Sequence, residues 1–190
     1  MGGLSKGTMK LGVMCSGNGT NFENIVRSCR KDEVVLMIYN KEDCGAVKRA
    51  NKLGIPSCHI KSKDEDLIIK YFKALNVDLI VMAGWMRIVS SKLIEAFPRR
   101  IINIHPSLLP KYKGLNVIQK ALDSNDIFTG VTVHYVTEEL DSGEIIEQRK
   151  VPIYDGDNLD LLTKRIQRTE YTILPRAIEH VKYKIQTRTN

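Results

Sequence analysis

The sequence predicts an α/β protein, a doubly wound, mostly parallel sheet with helices on both faces and a β-hairpin-like extension. Five short apolar runs between Lys10 and His105 alternate with helical patterns, which is the rhythm of βαβ units. One of them, Leu79 to Ala83, is apolar throughout, as a strand covered on both faces requires. After Pro110 the rhythm changes to two strand-like segments joined through Glu138 to Gly143, and these read as the hairpin.

Taken in order, Lys10 to Ser16 reads as a buried strand, Gly17-Asn18-Gly19 as a turn, and Asn21 to Cys29 as a helix with Phe22, Ile25 and Val26 on one face. Val34 to Tyr39 is a second strand, Gly45 to Leu53 a helix and Ser57 to Ile60 a short strand. Leu67 to Leu75 carries Ile68, Ile69, Phe72 and Leu75 near helical spacing. The strand Leu79 to Ala83 precedes a short helix, Ser91 to Phe97, and then Ile101 to His105. Beyond Pro110, Asn116 to Leu122 is helical, Phe128 to Tyr135 alternates with Val131, Val133 and Tyr135 on one face, and Glu144 to Val151 is a strand. Asn158 caps a final helix to about His180, which Pro175 should kink or split. No repeat or linker divides the chain, so residues 9–181 read as one domain, with an N-terminal extension (1–8) and a polar C-terminal tail (182–190) expected to fray.

At 190 residues, with 43% hydrophobic and 27% charged side chains, the composition is that of a soluble globular domain. No apolar stretch approaches the ~20 residues of a membrane span. Met1 to Thr8 has no apolar core of a secretory signal, and Met9 is a candidate start, so a cytoplasmic location is expected. A net charge of +7 favours acidic partners, whether nucleic acid, phosphorylated metabolites or polyglutamates. Basic residues gather modestly at Lys111 and Lys113, at Lys164, Arg165 and Arg168, and from Lys182 to Arg188. Cys15, Cys29, Cys44 and Cys58 form no C-x-x-C pair, so neither zinc nor a redox couple is indicated, and no metal is expected.

The most chemically informative segment is Ile101-Ile102-Asn103-Ile104-His105-Pro106-Ser107-Leu108-Leu109-Pro110. Its apolar strand delivers an amide and an imidazole to the carboxyl edge of the sheet, where ligands of open α/β sheets bind. Two residues apart, Asn103 and His105 share a strand face, a pairing suited to acyl-group chemistry; a core or turn histidine is the competing reading. Ser16-Gly17-Asn18-Gly19-Thr20-Asn21 lies between strand and helix, as a phosphate cradle does. Phe22 stands where a dinucleotide fingerprint needs its third glycine, and Tyr39-Asn40-Lys41 where it needs an acid. A monophosphate-sized site remains, alongside a purely structural turn with Asn21 as helix cap. Asp141 is either a turn aspartate or, brought beside His105, a carboxylate that aligns the imidazole. Gly84-Trp85-Met86-Arg87-Ile88-Val89 follows the fourth strand, and could seat a flat heterocycle or simply pack.

Together these motifs resemble the phosphoribosylglycinamide formyltransferase family from about Met9 to His180. The resemblance rests on the glycine loop 16–21, on Asn103 to Pro110, and on Glu139-Leu140-Asp141-Ser142-Gly143. It implies transfer of a formyl group from 10-formyltetrahydrofolate, as co-substrate, to the amine of glycinamide ribonucleotide, without a metal. Asn103 would then stabilise the oxyanion. His105 would serve as the charged general acid, and Asp141 as its partner. Gly19, Thr20, Asn21, Gln167 and Glu170 would hold the ribonucleotide. Met86, Arg87, Ile88 and Val89, with Asn103 and Thr137, Glu138, Glu139, Leu140 and Asp141, would line the folate pocket. Its partners would be these small molecules rather than nucleic acid or membrane, bound by a monomer or homodimer. The family's arginine in the loop after the third strand has no counterpart here; the shortened loop offers Lys61 and Lys63, which lack a bidentate fork.

Formyltetrahydrofolate deformylase shares the triad but places a regulatory domain ahead of it, and methionyl-tRNA formyltransferase adds a carboxyl-terminal RNA-binding domain. A non-catalytic anion- or nucleic-acid-binding module is a third alternative; it would show salt-sensitive oligonucleotide binding.

Overall fold

The computed structural model describes residues 7–61 and 63–188. In chain order the elements are β1 (Lys10–Cys15), α1 (Thr20–Ser28), β2 (Glu33–Tyr39), α2 (Gly45–Leu53), β3 (Ser57–His59), α3 (Glu65–Ala74) and β4 (Leu79–Met82). They continue through α4 (Ser91–Ala96), β5 (Ile101–His105), α5 (Val117–Leu122), β6 (Phe128–Tyr135), β7 (Ile145–Pro152) and α6 (Leu159–Arg188). One seven-stranded sheet runs β3-β2-β1-β4-β5-β6-β7. The pairings from β3 through β5 are parallel, and β6 and β7 join antiparallel. This is the expected doubly wound sheet with its hairpin.

The strand order dictates where a ligand can bind. The chain steps outward from β1 to β3 and then crosses back to place β4 on the other side of β1. At that reversal the loops leaving β1 and β4 diverge, opening a crevice at the carboxyl edge. Every residue of β4 is buried, because helices cover both faces. The two resulting cores lie on opposite sides of the sheet, one around Val13, Phe22, Leu79 and Ile178, the other around Met14, Phe72, Ile80 and Trp85.

The last helix departs from expectation. It was expected to kink or split at Pro175 and end near His180; it is not split, and it runs on to Arg188 with Pro175 inside it. A proline in a helix costs about 3 kcal/mol, whereas each large aliphatic buried returns roughly 1.5–3 kcal/mol. Ile173, Leu174 and Ile178 around the proline are all fully buried, so packing prevails. The carbonyl of Tyr171, which loses its helical partner to the proline, accepts instead from Asn24 Nδ2 at 3.1 Å. The segment from Lys182 to Arg188 is accordingly helix rather than a frayed tail, and Lys182 is 1% exposed, paired with Asp32. Residues 1–6 of the expected extension and residues 189–190 of the expected tail lie outside the described residues. The four cysteines are free.

Candidate active site

β5 ends at the crevice, and its buried isoleucines fix which face is polar. Ile102 and Ile104 point into one core, so Asn103 and His105 present to the other side. Antiparallel pairing sets His134 of β6 opposite Asn103 and Thr132 opposite His105. Directly opposed residues share a face, and a second histidine therefore joins the site. His134 was missed by reading β6 through Val131, Val133 and Tyr135, which occupy the opposite phase. The signal was present in the period of two, once β6 is known to pair with β5.

Hydrogen bonding assigns the ring nitrogens. His134 Nδ1 donates to the Tyr135 carbonyl at 2.8 Å. Its Nε2 lies 3.3 Å from Asn103 Nδ2, so in the neutral ring it accepts one amide hydrogen and leaves the other for a ligand. His105 donates from Nε2 to the Tyr112 carbonyl at 2.8 Å. Its Nδ1 faces Asp141 Oδ2 at 3.5 Å, while Oδ1 of the same carboxylate is 3.7 Å from His134 Nε2.

Asp141 reaches this position because its backbone adopts φ 50, in the left-handed region, which aspartate tolerates better than most residues. Gly143 lets the loop close: a Cβ there would lie 1.7 Å from the Tyr135 carbonyl oxygen. Burial pushes the Asp141 carboxyl upward, but the His134 ring, the Gly114 N–H and the charge of the two imidazoles outweigh it and hold it below the usual range. The carboxylate is therefore ionised, and a charged partner for His105, throughout the neutral range.

The glycine loop is built as tightly as the motif suggests. Gly19 has φ 73, and a Cβ there would sit 2.5 Å from that of Ala46. Ala46 N–H and Cys44 Sγ both bond the Gly17 carbonyl, so α2 braces the loop from behind. Ser16 ties it to the loop after β4, bonding the Gly84 carbonyl through its N–H and the Met86 N–H through Oγ. Asn21 is not a cap, since Gly19 occupies that position; its Nδ2 donates to Glu170 Oε2 at 3.0 Å, and its buried Oδ1 has no hydrogen-bond partner among the described residues. Burial pushes the Glu170 carboxyl up to about 7, against the opposing Asn21 bond.

A cavity of about 720 Å³ joins these parts. Its walls include Gly19, Thr20, Asn21 and Glu170, the group Asn103, His105, His134 and Asp141, and Met86, Arg87, Ile88, Val89, Thr137, Glu139 and Leu140. Gln167 and Glu138, expected in the site, are not among the wall residues. Gly114 to Gln119 are, and nothing in their sequence announced it. Trp85 lines the cavity yet is 8% exposed and packs in the core with Val89 and Leu93, so packing is its main business. Lys63 borders a separate shallow groove with Glu65 and Ile88. Among the described residues no group of His, Cys, Asp and Glu is arranged to hold a metal ion, and no helix is long and apolar enough to cross a membrane.

A family model described as formyl transferase matches residues 9–178. The chain belongs to the formyl transferase family. It is 40% identical to phosphoribosylglycinamide formyltransferase of Haemophilus influenzae, over 90% of this chain and 85% of that protein. To the enzyme of the same name from Escherichia coli it is 38% identical over the same shares. The trifunctional purine biosynthetic protein adenosine-3 of Drosophila melanogaster is 39% identical over 92% of this chain, which spans 14% of that longer protein. The crystal structure of phosphoribosylglycinamide formyltransferase from Anaplasma phagocytophilum matches this formyl transferase with a TM-score of 0.90 at 33% identity, covering 93% of this chain and 88% of that one.

Proposed function

We infer that this formyl transferase moves the formyl group of 10-formyltetrahydrofolate to the amine of glycinamide ribonucleotide, in purine biosynthesis. The observation that carries the reading is that one cavity is walled jointly by the glycine loop, by Asn103, His105 and Asp141, and by residues of the loops Met86–Val89 and Thr137–Asp141. A site of this size suits two elongated ligands meeting end to end. The phosphate of the ribonucleotide sits at the glycine loop, on the amino terminus of α1, where free N–H groups face an anion. Glu170 and Asn21 face its ribose. The flat ring of the folate lies between the two apolar loops.

The amine attacks the formyl carbon, and the carbonyl oxygen becomes an oxyanion. The free Asn103 N–H stabilises that charge, as a donor already in place where the charge develops does. Collapse breaks the bond to N10 of the folate. The attacking nitrogen gives up one proton and N10 gains one, so the products are the formylated ribonucleotide and tetrahydrofolate. His105 and Asp141 handle that proton; Asp141, ionised, faces the Nδ1 edge of the ring. We place the protein in the cytoplasm, as a monomer or homodimer.

The test follows folate absorbance with and without glycinamide ribonucleotide, using His105→Ala as control. Turnover that needs both the ribonucleotide and His105 supports the reading. Loss of formyl to water without the ribonucleotide would replace it with a hydrolase, and no turnover in either case would overturn it.

A further inference from the structure

The loop from Lys111 to Gly114 grips both members of the His105–Asp141 pair. The Tyr112 carbonyl accepts from His105 Nε2, and two residues on the Gly114 N–H donates to Asp141 Oδ2 at 2.9 Å. A carbonyl oxygen can only accept, so Nε2 keeps its hydrogen whether the ring is neutral or cationic. The nitrogen left to gain and lose a proton is Nδ1, which faces Asp141 across 3.5 Å, longer than a well-made hydrogen bond.

What holds that carbonyl in place lies outside the cavity. Tyr112 has φ 56, a left-handed conformation that a bulky residue keeps only when its surroundings enforce it. Its Oη donates to Asp126 Oδ2 at 2.8 Å. Lys111 Nζ donates to both oxygens of the same carboxylate, at 2.8 and 2.9 Å. From within, Ser107 Oγ lies 2.6 Å from the Lys111 carbonyl and 3.2 Å from that of Tyr112. Asp126 sits in the turn before β6 and is not a wall residue of the cavity.

We infer that Tyr112 is a positioning residue: clamped by Asp126, it holds its carbonyl on His105 Nε2 and so commits the exchanging proton of that side chain to Nδ1, on the Asp141 side. An imidazole free to turn over would offer either nitrogen, and half of its orientations would point the wrong one at the reacting atoms. This role rests on the reading of His105 as the group that handles the proton in formyl transfer.

Three variants test it. Tyr112→Phe removes the hydroxyl and keeps the ring, Asp126→Ala removes the acceptor, and Asp126→Asn keeps an oxygen that can accept from Tyr112. For the first two, kcat should fall about tenfold with both KM values within about twofold, as expected for misplacement of a reacting group. In wild-type protein the His105 Nε2 proton should give a slowly exchanging NMR resonance, assigned by its loss in His105→Ala. That resonance should vanish in Tyr112→Phe and Asp126→Ala and return in Asp126→Asn, together with most of the rate. A wild-type kcat in Tyr112→Phe would overturn the inference, as would a reduced kcat with the resonance intact, or its absence from the wild type. Should the wild type transfer no formyl group, the functional reading fails, while the resonance series still decides whether Tyr112 and Asp126 hold the ring.

Discussion

Asn21 Nδ2 donates to Glu170 Oε2 at 3.0 Å across 149 residues of sequence, tying the first turn of α1 to the middle of α6. That single bond does not offset the loss of water around the Glu170 carboxyl, which is pushed from an ordinary value near 4.5 up to about 7. The sign follows from linkage. The folded state holds the proton more tightly than the unfolded state, so this group's contribution is fully present below about pH 4.5 and is lost as pH rises through about 7. The loss amounts to about 3 kcal/mol between those limits. Glu170→Gln should flatten that part of the profile, gaining stability relative to wild type at pH 8 and little at pH 4.5. Urea unfolding at the two pH values measures it, and parallel profiles for the two proteins would contradict the assignment.

Asn103→Ala should lower kcat by about 10²–10³, the usual cost of removing one oxyanion donor. Asn103 is only partly buried and its amide bonds His134 at 3.3 Å, so the melting temperature should move little. Steady-state kinetics beside thermal unfolding separates the two; a rate loss matched by a large loss of stability would mean that the amide's part is structural.

How much of this was legible beforehand depended on whether a signal was local. The run Ile101 to His105 declared both its strand and its polar pair, because apolar burial and a period of two act over a few residues. The left-handed turn at Gly19 was equally local. His134 was not legible, since its place beside Asn103 follows from the antiparallel register of two strands, which no short window contains. The continuity of the helix through Pro175 and its end at Arg188 were misjudged for a similar reason. The proline's cost is written in the sequence, while the burial of Ile173, Leu174 and Ile178 and the Asn24 donor that meets the freed carbonyl come from elsewhere in the fold. Gln167 was expected in the site from the family resemblance, but it lies three residues, about 4.5 Å, further back along α6 than Glu170, and it is not among the cavity's wall residues.

Gly19→Ala should damage the ribonucleotide end of the site selectively. The substitution meets both a backbone at φ 73 and the Ala46 side chain at 2.5 Å, so the loop must move, at a cost of roughly 1–3 kcal/mol. KM for glycinamide ribonucleotide should rise at least tenfold while KM for the folate stays near its wild-type value. Equal changes in both constants would show that the glycine loop does not serve one substrate.

The Lys182–Asp32 pair, 1% and 3% exposed at its side chains, makes the clearest stability prediction. Asp32 Oδ1 also accepts the Met9 N–H at 2.9 Å, so one carboxylate fastens the end of α6 to the start of β1. Removing one partner of a buried pair strands the other charge, at about 3–5 kcal/mol, whereas replacing both together costs far less. Lys182→Met alone should therefore unfold at markedly lower denaturant, and Lys182→Met with Asp32→Asn should recover much of the loss. The pair lies away from the cavity walls, so kcat of the folded fraction should be unchanged in every variant. The coupling read from this double-mutant cycle decides the matter, since additive losses would mean that the two side chains are stabilised separately rather than by each other.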